Sequence, residues 1–201
     1  MRVIGITGGV GSGKSAVLGY LEKTYSCIVV YADELTAQLQ KKGGKLYTAM
    51  VGLFGEEYLL PDGELDRGKI ARRVFGDEAE LKKLNDTTHP IVVDTIVNMI
   101  NDAKTKGKTD FFFVEAALLI ETGFDKICDE LWYIYAQKKV RIQRLKESRG
   151  YTEKQIDDMF DRQLSEEAFR KHCQIVIDNS GELEESIAQI RGILEGYLRD
   201  N

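Results

Sequence analysis

Short, continuously apolar runs alternate with longer stretches in which apolar residues recur at helical spacing over most of the chain. The runs Arg2–Thr7, Cys27–Tyr31, Phe111–Val114, Leu131–Tyr135 and Gln174–Ile177 predict strands. Phe111–Val114 is continuously apolar, the pattern of a strand buried on both faces. Between the runs, Val17, Leu18 and Leu21 share one helical face, and Leu183, Ile187, Ile190 and Leu194 share another near the end of the chain. Strand alternating with helix predicts an α/β fold, a parallel sheet sandwiched in three layers between helices.

Two stretches break the alternation. Residues 34–109 hold helical patterns and turns but no convincing long strand, and predict a helical lobe inserted between the second and third strands. Within it Pro90 suits the first turn of a helix Pro90–Thr105, and Gly107 suits its end. Residues 138–171 predict two charged helices hinged at Gly150, the first near Lys138–Ser148. Thr152, with Gln155 three residues on, predicts a capping box that starts the second. This stretch reads either as a mobile lid or as a plain surface hairpin. The remainder, about 1–33, 110–137 and 172–201, forms the core of one domain.

Composition narrows the class of partner. The chain has 201 residues, 43% apolar and 30% charged, with a net charge of −5, which describes an ordinary soluble globular protein. An acidic balance argues against nucleic acid as the main partner, but not against a small phosphorylated ligand held by a local basic cluster. Cys27, Cys128 and Cys173 form no C-x-x-C pair, so free thiols in a reducing cytoplasm are expected. No apolar run reaches the length of a membrane span. The expectation is a cytoplasmic monomer or weak homo-oligomer, with neither nucleic acid nor membrane as partner.

The strongest chemical signal is Gly8-Gly9-Val10-Gly11-Ser12-Gly13-Lys14-Ser15, a complete G-x-x-x-x-G-K-S followed by Ala16. Glycines let the backbone turn successive N–H groups toward phosphate oxygens, and the helix that follows adds its positive end. Lys14 suits the β- and γ-phosphates, and the Ser15 hydroxyl suits Mg²⁺. Because the motif lies between a predicted strand and a predicted helix, it marks a nucleotide site. A regulatory GTPase would also need D-x-x-G before the base-reading segment, and N-K-x-D. The chain's Asp-x-x-Gly, Asp178–Gly181, follows the last strand, and no N-K-x-D occurs.

Other candidates surround this motif. Asp33 follows the second strand. It suits a base that takes the proton of an acceptor hydroxyl, and equally an N-cap for a helix starting at Glu34. Glu115 ends an apolar strand, suiting contact with substrate or with Mg²⁺ through water, or a solvated strand end. Arg141 and Arg144 share a helical face and Arg149 follows; they suit phosphate oxygens only if the fold brings them beside the glycine loop. The segment Asp66-Arg67-Gly68-Lys69-Ile70-Ala71-Arg72-Arg73 is a basic cluster in an acidic chain, and His89 precedes Pro90.

As an ordered set, these motifs resemble the dephospho-CoA kinase family over nearly the whole chain. The matching stretches are Thr7 to Ser15, Tyr31-Ala32-Asp33, Phe54-Gly55 with Leu59, Leu65-Asp66-Arg67, Arg72-Arg73-Val74-Phe75, His89-Pro90, Leu118-Leu119-Ile120-Glu121 and Ile177 to Gly181. The resemblance implies transfer of the γ-phosphate of ATP to the 3′-hydroxyl of dephospho-CoA with Mg²⁺, the last step of coenzyme A synthesis. It makes Asp33 the base and places Arg67, His89, Glu115 and Leu118 toward the acceptor. Arg144 and Arg149 fall in the lid, and Asn179, Ser180 and Gly181 beside the adenine. Tyr31, Glu115, Ala117, Asn85 and Met159 depart from the family pattern. A kinase of shikimate, gluconate or a nucleoside would share the glycine loop, but not the rest of the set in this order.

Overall fold

The computed structural model describes residues 1–199. In chain order the elements are β1 (Arg2–Thr7), α1 (Lys14–Thr24), β2 (Cys27–Tyr31), α2 (Ala32–Leu39), α3 (Lys45–Phe54), α4 (Arg67–Val74) and α5 (Glu78–Lys106). There follow β3 (Phe111–Glu115), β4 (Glu130–Tyr135), α6 (Lys138–Arg149), α7 (Glu153–Phe160), α8 (Glu166–His172), β5 (Ile175–Asp178) and α9 (Leu183–Arg199). The chain divides into two compact units: Met1–Val30 together with the chain from Ala103 onward, and Tyr31–Asp102.

The first unit is built on a five-stranded, all-parallel sheet in the order β2-β3-β1-β4-β5. β1 pairs with β3 from Arg2↔Phe111 to Ile6↔Glu115, and with β4 from Ile4↔Glu130 to Thr7↔Tyr133. The apolar runs are buried as their continuity requires: Phe111 to Val114 and Leu131 to Ile134 are all inaccessible. α1 buries Val17, Leu18 and Leu21, and α9 buries Ser186, Ile190 and Leu194. The chain leaves β1 toward one edge of the sheet and leaves β4 toward the other. Such a divergence opens a crevice at the carboxyl ends of the two strands, the usual ligand position in an open α/β sheet. The glycine loop and the start of α6 both fall there.

The second unit packs Met50, Leu65 and Ile70 into a small core, with Tyr47, Val51, Phe54, Tyr58, Leu59 and Leu84 around it. Among the described residues it carries no strand, only an isolated bridge between Leu59 and Leu65. Asp66 caps α4, its carboxylate accepting from the Lys69 N–H at 2.8 Å.

Three expectations about helices need correction. Pro90 does not open a helix; it lies inside the 29-residue α5. An interior proline removes one backbone bond and crowds the carbonyl four residues back, here that of Asp86. Asp86 and Pro90 are both exposed, while Thr88, Val92, Ile96 and Ile100 are buried, so a burying face runs past the proline and holds the helix. The 138–171 stretch contains three helices, because Ser165 caps the Ala168 N–H at 3.2 Å and starts α8. The third correction concerns Asp33 and is given with the site. The capping box of Thr152 and Gln155 forms, and Gly150 ends α6 at φ 64°.

The thiols are free. Burial pushes Cys27 up to about 11, and Cys128 and Cys173 up to about 12. At pH 8 the reactive thiolate should therefore amount to roughly 10⁻³–10⁻⁴ of each, against a sizeable fraction for a free cysteine. Native protein should label at least about 100-fold more slowly than a free thiol, and rise to full labelling on denaturation. Prompt labelling at pH 8 would contradict the raised thiol pKa values.

Candidate active site

The glycine loop joins β1 to α1. Gly13 is the residue before α1 and adopts φ 88°, a left-handed backbone. No side chain caps α1 and no acidic residue lies in its first turn. The orphan N–H groups of that turn, with the positive end of the helix, therefore suit an anion. Inside the loop the Ser12 N–H donates to Gly9 O at 3.1 Å, and the Ala16 N–H to Gly13 O at 3.1 Å. Ser12 Oγ and Thr7 Oγ1 are buried without a hydrogen-bond partner. An unsatisfied buried hydroxyl is costly, and a phosphate oxygen is an acceptor of the right kind.

Lys14 reaches back over the loop. Its ammonium donates to Gly8 O at 2.8 Å and lies 3.8 Å from Glu115 Oε1, with both side chains largely enclosed. Glu115 stands there because β3 pairs with β1 in the register that opposes it to Ile6. Ser15, the second residue of α1, is exposed. Its hydroxyl and the Glu115 carboxylate are hard oxygen donors, which fit Mg²⁺. That ion is ordinarily held by few protein ligands together with substrate phosphates. Among the described residues no group of three or more His, Cys, Asp or Glu forms a protein cage for a metal.

The turn after β5 and helix α6 close on the loop from the other side. Asn179 is buried, and its amide donates to Ser12 O at 2.7 Å. Its own oxygen accepts from Ser186 Oγ at 2.8 Å. A Cβ on Gly13 would lie 2.2 Å from the Asn179 Nδ2, so the approach requires glycine there. Arg144 donates to Asn179 O at 2.9 Å, to Gly181 O at 3.3 Å and, at the limit of bonding, to Ser12 O at 3.5 Å. Ser180 Oγ accepts from the Gln137 N–H at 3.0 Å, fixing the same turn to the start of α6.

Of the residues expected from sequence, Lys14, Glu115, Arg144, Asn179, Ser180 and Gly181 thus gather at the loop. Arg149 is exposed at the end of α6 and, among the described residues, bonds none of the loop's atoms. Leu118 is 51% exposed in the turns after β3. Arg141 suits phosphate oxygens only if the fold sets it beside the loop, which it does. In the fold it lies on the loop, its Nε donating to Val10 O at 2.8 Å. Gln163, which no sequence signal singles out, accepts the Val10 N–H at 3.1 Å.

The remaining candidates belong to the second unit. Asp33 is not an N-cap: α2 starts at Ala32, Tyr31 is the cap, and no side chain caps the helix. Asp33 sits exposed in the first helical turn, where a carboxylate favours the helix dipole but has no capping duty. Arg67 opens α4 and its guanidinium donates to Ala37 O at 3.2 Å. His89 is half-buried in α5.

Comparison with known proteins decides the family. The family model described as dephospho-CoA kinase matches residues 2–185. The chain belongs to the dephospho-CoA kinase family. Curated members from Dehalococcoides mccartyi and Aquifex aeolicus are each 34% identical to it. The alignments cover 92% of both chains in the first case and 100% of both in the second. A Thermus thermophilus protein of known crystal structure superposes with a TM-score of 0.79 at 28% identity, over 97% of each chain. The dephospho-CoA kinase from Campylobacter jejuni, at 20% identity, shares the fold with a TM-score of 0.69 over 96% of this chain and 98% of its own. As a family of kinases, its members use a nucleotide as phosphoryl donor.

Two glycine-to-alanine changes should move stability in opposite directions. Gly13→Ala forces a left-handed alanine, costing about 1–2 kcal/mol, and drives its methyl into Asn179. It should lower stability by at least that amount and abolish nucleotide binding. Gly19, inside α1, has open space at its Cβ position, so Gly19→Ala should add about 0.5–1 kcal/mol. Denaturant melts of the two variants beside the wild type check both signs.

Proposed function

We propose that this chain transfers the γ-phosphate of ATP to the 3′-hydroxyl of dephospho-CoA, giving CoA and ADP. The observation that carries this is a complete phosphate loop, with an uncapped helix start and Lys14 laid across it, in a chain whose residues 2–185 match the family. In this reading the backbone of Gly8 to Ala16 cradles the phosphates, and Lys14 stabilises charge growing on the β- and γ-oxygens. The Ser15 hydroxyl would hold Mg²⁺, which when bound would supply charge neutralisation to the phosphates.

Asp33 takes the acceptor's proton. As the 3′-oxygen bonds to the γ-phosphorus, the bond from that phosphorus to the β–γ bridging oxygen breaks, and ADP leaves. The loss of the capping alternative supports Asp33 as base, since its carboxylate has no structural bond to give up. Arg67, His89, Glu115 and Leu118 bind the acceptor, and Arg144 and Arg149 act on the phosphates from a lid of about 138–171. Asn179, Ser180 and Gly181 flank the adenine. The lobe of about 34–109 receives the acceptor within a single kinase domain. No helix among the described residues is long and apolar enough to cross a membrane, which suits a cytoplasmic enzyme.

An ADP-release assay across acceptors tests the reading. Dephospho-CoA should be turned over, and adenosine should be poor. It offers the same hydroxyl but lacks the remote groups whose binding energy positions that hydroxyl. Turnover of shikimate or gluconate with none of dephospho-CoA would overturn the acceptor assignment. Lys14→Ala should fold and lose on the order of 10²-fold or more in rate. Asp33→Asn should lose roughly 10²–10⁴-fold with its melting temperature nearly unchanged. A folded Asp33→Asn protein of wild-type turnover would remove Asp33 from the chemistry.

A further inference from the structure

Arg141 has no part in the scheme above, yet its side chain lies directly against the phosphate loop. Its Nε donates to Val10 O at 2.8 Å and its Nη2 to Gln163 Oε1 at 2.9 Å. The same Gln163 oxygen accepts the Val10 N–H at 3.1 Å. The guanidinium lies so close to Gly9 that a Cβ there would sit 2.4 Å from Nη2. That approach accounts for a glycine at a position whose backbone does not demand one. Phe160 covers the other side, 4.2 Å from the guanidinium carbon to the ring centre.

All these partners are neutral. Among the described residues no carboxylate lies within ion-pair distance of Arg141. Glu166, whose charge acts on it, is bonded by Arg170 at 2.8 Å. Burial pulls the Arg141 pKa down, with the Tyr133, Glu166 and Tyr135 fields opposing, so the positive charge is held at a desolvation cost. Lys14 at the same loop has Glu115 beside it. Arg141 has only carbonyl oxygens and an aromatic face.

We propose that Arg141 is a nucleotide-binding residue of this chain: a half-buried guanidinium, fixed on Gly9 and Val10 by Gln163 and Phe160, whose missing counter-charge is supplied by the phosphates of the bound nucleotide. The inference rests on the loop being a nucleotide site, as proposed above. A guanidinium has five donors in a fixed fork. Two are engaged in the bonds to Val10 and Gln163, which leaves capacity for phosphate oxygens. Gln163 then acts as a positioning residue, aligning the fork with one oxygen while occupying the Val10 N–H.

The alternative is a staple that merely braces the loop, and charge separates the two. Calorimetric titration with Mg-ATP and with Mg-ADP is measured for wild type, Arg141→Gln and Arg141→Lys, with melting temperatures in the absence of nucleotide. A charge-assisted bond to phosphate predicts that Arg141→Gln weakens ATP binding roughly 10–100-fold. Its nucleotide-free melting temperature should change little, since removal of a partly desolvated, uncompensated charge offsets the lost bonds to Val10 and Gln163. Arg141→Lys, which keeps the charge, should recover part of the affinity. An ATP dissociation constant for Arg141→Gln within about twofold of wild type, or a Lys variant as weak as the Gln variant, overturns the inference. Should Arg141→Gln fail to fold, the Lys variant alone decides: affinity nearer wild type than the predicted loss supports the charge role, and a full loss overturns it. Failure of the wild type itself to bind ATP would overturn the kinase reading and this inference with it.

Discussion

The close approach of neighbouring elements to a glycine-rich loop organises the sheet-bearing half of this molecule. If the loop after β1 turns its backbone N–H groups to an anion on one side, as proposed, its opposite side is the one left for neighbouring elements to brace. Arg141 from α6 lies against Gly9, and Asn179 from the turn after β5 lies against Gly13. The order of strands makes this possible. Because β4 neighbours β1 and β5 neighbours β4, the segments that follow β4 and β5 emerge next to the loop. Ser186 on α9 then holds the Asn179 oxygen, tying the last helix to the same point. A loop braced this way needs little reorganisation when an anion arrives, and that pre-organisation is where phosphoryl transfer gains most.

The electrostatics follow the same geometry and not the overall charge. The chain is acidic by 5 units, yet the charges gathered at the loop are Lys14, Arg141 and Arg144, with Glu115 as the carboxylate beside Lys14. Net charge governs solubility and nonspecific association. A field over a few ångströms is set by which side chains the sheet delivers, and here it is positive.

Much of this was legible in the sequence, for physical reasons that also mark where legibility ends. β1 and β2 have the predicted bounds, and the other three strands differ by a residue at one or both ends, because continuous burial leaves an uninterrupted apolar run. The glycine loop was legible because a left-handed backbone and close approach can be met only by glycine. Pro90 misled because its cost is local, while the burying face of α5 that outweighs it is spread over several turns. Asp33 misled as a cap because helix starts shift by a residue or two without changing composition. Arg141 and Gln163 were illegible in a different way. Their meaning lies in contacts to Val10 across 131 and 153 residues of chain, and nothing in an arginine's own neighbourhood records what the sheet will set beside it.

Arg144 shows how structural and chemical duties can share one side chain. Its hydrogen bonds run to carbonyl oxygens, those of Ser12, Asn179 and Gly181. The Ser12 contact is long and weak. A guanidinium has five donors, so the bonds to Asn179 and Gly181 fix the plane of the fork while other donors remain. Arg141 is fixed in the same manner by Val10 and Gln163. Both arginines are therefore held by neutral acceptors that define their orientation without cancelling their charge. A carboxylate in either place would have oriented them equally well, and would have left less positive potential for a phosphate to meet.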